Sequence, residues 1–79
     1  GALRLYTIGG IGSEGALMAW LPEARFLYAG DFVQSARAPS AYTTEVVQAV
    51  CRVGIAPERV AAMHLGVTPW EVVERLVRR

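Results

Sequence analysis

Apolar residues alternate with polar ones from Leu3 to Ile8, the period of a half-buried strand, and Gly9, Gly10 and Gly12 then interrupt the run. Ala16 to Leu21 is a second short apolar stretch, Pro22 and Glu23 turn it, and Arg25 to Ala29 is a third with Phe, Leu and Tyr. Two short runs joined by a tight polar turn read as a β-hairpin or as a short helix followed by a strand. Pro22 favours the hairpin, because it stops the first run before several helical turns could form. Gly30-Asp31 closes the third run, and Phe32 to Ser40, with Pro39, reads as a loop.

From Ala41 to Val53 the period changes. Val46, Val47, Val50 and Val53 recur at three- and four-residue spacing, the stripe of an amphipathic helix, and Gly54 stands where such a helix stops. Cys51 lies beside the stripe and reads as a small buried hydrophobe. Val60 to Met63 reads as a fourth strand. The last helix has a start signal: Thr68 as N-cap, Pro69 as first helical residue and Glu71 as third, a capping box, with Val67 stapled onto Val72. Trp70, Val73, Leu76 and Val77 form its inner face, while Glu71–Arg75 and Glu74–Arg78 pair outside. The predicted order is β-β-β-α-β-α, an α/β (α+β) chain whose sheet carries helices on one face and nothing on the other.

Composition narrows the classes of function. A chain of 79 residues is one small domain, 1–79, of a size that is marginally stable alone. Apolar residues make up 53%, enough for a core and a surplus that points to a partner. The formal net charge is +1, from 8 basic and 7 acidic residues, so no nucleic-acid partner and no membrane surface is expected. Arg75, Arg78 and Arg79 sit where they complement a helix dipole. One cysteine makes neither an internal disulfide nor a thiolate zinc cluster. With no long apolar run and no basic-then-apolar start, the expected localisation is cytoplasmic. A start at Gly-Ala, without Met, suits a trimmed piece of something longer.

Two constellations could carry chemistry. Gly10-Ile11-Gly12-Ser13-Glu14-Gly15 fits G-x-G-x-x-G after a strand, with Asp31 at the distance of a ribose-binding carboxylate. A nucleotide would need a helix N-terminus next, which Pro22 leaves too short; a turn between two strands is the plainer reading. The second constellation is Asp31 with His64, each just past a strand end, where loops converge, and both of types that bind Zn, Mn or Fe. Trp20 and Trp70 could line a pocket but read as core packing. Tyr42 could orient a substrate. Ser13 and Ser35 have no histidine in a recognisable nucleophile motif.

The stretch Leu21-Pro22-Glu23-Ala24-Arg25-Phe26-Leu27-Tyr28-Ala29-Gly30-Asp31 resembles a segment of the metallo-β-lactamase superfamily, in which a hairpin ends in Gly-Asp and the aspartate bridges two metals. Gly54-Ile55-Ala56-Pro57-Glu58-Arg59-Val60 through His64 is similar to that family's passage into its last ligand histidine. Gly12-Ser13-Glu14-Gly15-Ala16-Leu17 stands where the family usually has His-Thr-Pro-Gly-Ser-Leu. The ordered set covers nearly the whole chain. The resemblance implies the carboxy-terminal half of a four-layer αββα sandwich, with Asp31 and His64 as metal ligands.

The chain also departs from the family. The His-x-His-x-Asp-His motif is absent, Gly12 replaces the middle histidine, and Met63 replaces the glycine before the last one. A hydrolytic zinc site needs about three protein ligands and an open position for water. Asp31 and His64 alone would hold metal weakly, or only in an assembly, and no catalytic residue is assigned. Half a sandwich leaves one sheet face wet, which would forgo of order ten kcal/mol at ~25 cal/mol per Å². Pairing with a second copy, or with an amino-terminal partner half, would recover it. Three readings follow: a truncated, self-associating, non-catalytic module; a metal-dependent hydrolase completed by another chain or a missing half; and a small nucleotide-binding module.

Overall fold

The turn at Pro22 does what the sequence suggests, and the sheet grows outward from it. In a computed structural model, which describes residues 3–9, 16–30, 41–63 and 65–78 (backbone only at 41 and 42), β1 (Arg4–Thr7), β2 (Leu17–Leu21) and β3 (Phe26–Tyr28) form an antiparallel meander. Helix α1 (Ala41–Val53) then returns the chain so that β4 (Arg59–Ala62) pairs parallel to β3. A parallel neighbour requires a crossover of about a dozen residues or more, and α1 supplies it. A fifth strand, β5 (Leu65–Pro69), turns back antiparallel to β4, and α2 (Trp70–Val77) closes the fold. The result is a five-stranded mixed sheet, ordered β1-β2-β3-β4-β5, with two helices: a small α+β domain.

Arg25 fixes the hairpin to the rest of the sheet. It has φ +50°, the left-handed conformation that commonly follows the turn in short hairpins and costs a non-glycine residue about 1 kcal/mol. Its local bonds offset that strain. Its N–H donates to the Pro22 carbonyl at 3.2 Å, and its own carbonyl accepts from the N–H of Glu58 at 2.8 Å and of Arg59 at 3.3 Å. The side chain adds Nε to the Ala56 carbonyl at 3.1 Å and Nη1 to Glu58 Oε1 at 3.4 Å. At the far end of α1, Gly54 takes φ +77° and its N–H donates to the Val50 carbonyl, the predicted stop. Arg52 of the last helical turn reaches the end of β1, donating from Nη2 to the carbonyls of Thr7 and Ile8, both at 3.0 Å.

One face of the sheet holds the core. Met18, Trp20, Leu27, Ala29, Val60 and Ala62 point to the helices and are buried, against Val46, Val47, Ala49 and Val50 of α1 and Trp70 and Val73 of α2. Both tryptophans are core residues, as the pattern implies. The exposed pairs Glu71–Arg75 and Glu74–Arg78 form on α2 at 3.7 and 3.6 Å.

Four local expectations are corrected. The order is β-β-β-α-β-β-α, because Leu65–Pro69 is a strand and not the approach to a helix. Thr68 is therefore no N-cap. It pairs with Val60 in the ladder, and its Oγ1 donates to the Gly66 carbonyl at 2.8 Å. Pro69 holds the cap position with ψ 133° and no side-chain cap bond, so the capping box does not form. Consequently Thr68→Ala should cost roughly 0.5 kcal/mol or less, against about 1 kcal/mol for loss of a true cap; chemical denaturation measures the difference. The staple from Val67 is also absent, since Val67 is 64% exposed. Cys51 is exposed as well. It stands about 100° around the helix from Val50, and that rotation carries it out of the stripe.

Candidate functional site

Alternation along a strand sends every second side chain away from the helices. Cross-strand register then aligns those outward residues in rows. One row runs Leu5, Ala19, Tyr28, Ala61 across β1 to β4. A second runs Leu21, Phe26, Arg59, Pro69 across β2 to β5, with Leu3 just before β1. Thr7 faces Leu17 in a third. Leu3, Leu5, Leu17, Leu21, Tyr28, Met63 and Val67 are all at least 40% exposed. An irregularity in the β4–β5 register between Val60 and Ala62 lets Leu65 pack on the core while Val67 is exposed.

The residues on this face are almost all apolar. Arg59 is the one charged side chain in the described rows. Isolated exposed hydrophobics are ordinary, but a contiguous patch of several hundred Å² is a feature of interaction surfaces.

The metal-ligand candidates Asp31 and His64 lie outside the described residues, as do the Gly10 to Gly15 segment, Ser13, Ser35 and the Tyr42 side chain. The residues that precede the two candidates are described. Gly30 lies just past β3 and Met63 just past β4, and the Met63 N–H donates to the Gly30 carbonyl at 2.7 Å. The parallel pairing of β3 and β4 thus joins the two segments at their carboxyl ends, where sites in α/β sheets assemble. Among the described residues no group of three or more His, Cys, Asp or Glu could hold a metal ion.

The glycine segment connects β1 to an antiparallel β2. Leu17–Leu21 is a strand, so the helix N-terminus that a pyrophosphate needs does not follow the glycines. Among the described residues no helix is long and apolar enough to cross a membrane. Sequence reasoning missed β5, which adds Val67 and Pro69 to the open face. The Val67-Thr68-Pro69 sequence carried a signal, because β-branched residues before a proline favour extended backbone. The capping pattern masked it. Comparison with protein-family models gave no match, and no curated protein is significantly similar in sequence.

Proposed function

We propose that this chain is an interaction module, a metallo-β-lactamase-like half-domain that is non-catalytic alone and associates with a second copy of itself through the open sheet face. The observation that carries this reading is the row structure of that face: apolar side chains across β1 to β5, with both helices of the described residues on the other side. One helix layer plus one sheet with a bare apolar inner face is what half of an αββα sandwich would be. A second such face restores the missing layers.

A second copy is the favoured occupant for two reasons. A standard stable interface buries roughly 800 Å² a side, and the open rows span four strands with Leu3, Leu5, Leu17, Leu21 and Tyr28 each at least 40% exposed. A net charge of +1 puts little repulsion between two copies. Light scattering across a dilution series tests the reading: the expected mass is twice that of one chain, falling toward one at the lowest concentrations. A single-chain mass throughout contradicts it.

The Met63–Gly30 contact favours a second reading, in which another chain completes a metal-dependent hydrolase site begun by Asp31 and His64. A bound Zn (or Mn or Fe) would supply Lewis acidity and an acidic bound water. This chain's part would be to contribute two ligands from adjacent strand ends. Protein purified without chelator should then carry metal, and His64→Ala should lose most of it by elemental analysis with the oligomer mass unchanged. Equal metal in both proteins rules the site out.

A further inference from the structure

The sizes of the outward residues, set in their rows, define more than a generic sticky surface. We propose that the two copies stack about a two-fold axis that lies between the sheets, parallel to the strands, and passes between β2 and β3. This rests on the self-association proposed above. Such an axis keeps every residue in its own row, exchanges β2 with β3 of the other copy and exchanges β1 with β4.

The consequences can be read from the register. In the row Leu5, Ala19, Tyr28, Ala61, the exchange sets Tyr28 over Ala19 of the second copy and Leu5 over Ala61, each twice by symmetry. Every large side chain in that row meets an alanine. In the next row Leu21 meets Phe26, and Leu3 meets the stem of Arg59 at the rim, where the guanidinium can stay in water. Leu17 lies over the end of β3, where Gly30 carries no side chain. Facing layers of a sandwich fill space when large and small residues alternate across them.

An axis along β3 fails the same test. It sets Tyr28 over Tyr28, Phe26 over Phe26 and Ala19 over Ala61. The tyrosines and phenylalanines then compete for space while the two alanines leave a void, and overpacking and cavities are each destabilising. Moving the axis by half a strand spacing, about 2.4 Å, takes each tyrosine and phenylalanine off its own copy and fills both alanine positions. That arrangement leaves β5 outside the stacked region, with Val67 at its margin.

Exchanging volumes across the proposed contacts tests the axis. Ala19→Phe should raise the dimer dissociation constant at least tenfold in sedimentation equilibrium, because position 19 is already filled by Tyr28 of the second copy. Adding Tyr28→Ala should return it to within a few-fold of the original, although each single change weakens the pair. Ala61→Phe with Leu5→Ala is an independent test of the same kind. It serves if the first pair disturbs folding, which circular dichroism and the unfolding midpoint report. Tighter association of Ala19→Phe, or no rescue by Tyr28→Ala, would overturn the axis and leave pairing through this face intact. If the unaltered protein is monomeric at every concentration, the self-association reading fails and the axis fails with it.

Discussion

Ala19→Asp is expected to yield a folded protein that no longer pairs. Ala19 lies in the middle row of the open face and is partly exposed, so in one copy alone an aspartate there keeps its water. The core side of β2 is untouched, since Met18 and Trp20 carry it. In the pair the carboxylate would be enclosed among Leu, Tyr and Ala, with no described partner but Arg59 at the rim. Burying an unpaired charge costs several kcal/mol even after relaxation, and each 1.4 kcal/mol is tenfold in affinity. The dissociation constant should therefore rise by more than about a hundredfold. Sedimentation equilibrium reads that change, and far-ultraviolet circular dichroism should barely move. An unchanged dimer would place the interface elsewhere on the molecule.

The second large effect belongs to the opposite face. Leu27→Ala is expected to remove most of the folding stability. Leu27 is fully buried in the central strand, between Trp20 and Val60 in the inward row. Two strands, two helices and the hairpin turn constrain its surroundings, so the cavity cannot collapse well. Buried leucine truncations cost about 2–5 kcal/mol. A domain this small holds only roughly 3–5 kcal/mol from its own core. The variant should unfold at little or no denaturant unless the assembly holds it together by mass action. Leu21→Ala, in the next position of the same hairpin but facing outward, should change the stability of one copy by well under 1 kcal/mol. Denaturation at a concentration below dissociation compares the two. Similar losses would mean that the two faces are not divided as described.

These expectations depend on features that were legible in the residues to different degrees. Helix α1 was readable because four valines at helical spacing admit one interpretation, and Gly54 marked its end. The hairpin was readable because Pro22 forbids the competing helix. Helix α2 was readable over Trp70 to Val77, but its start was not. Thr-Pro-Trp-Glu satisfies the local chemistry of a capping box, and only the ladder between Val60 and Thr68 shows that the backbone of Thr68 is committed to the sheet. Cys51 was misplaced because a stripe only one residue wider would have included it. That the described helices share one sheet face followed from the element order alone. The small-against-large pattern within its rows did not, since it needs a register that no local signal in β1 to β4 specifies. To the metal-site candidates the structure adds the junction of Gly30 with Met63.

If another copy of the chain closes the bare inner surface of the sheet, strand protection and pairing rise and fall together. Hydrogen exchange of the amides of β2 and β3, followed over a dilution series together with the sedimented mass, tests it most directly. Two-chain particles are expected at high concentration, with protection in the Leu17–Leu21 and Phe26–Tyr28 strands that declines as the mass halves. Single chains throughout, or protection in those strands that ignores concentration while the mass changes, would contradict it.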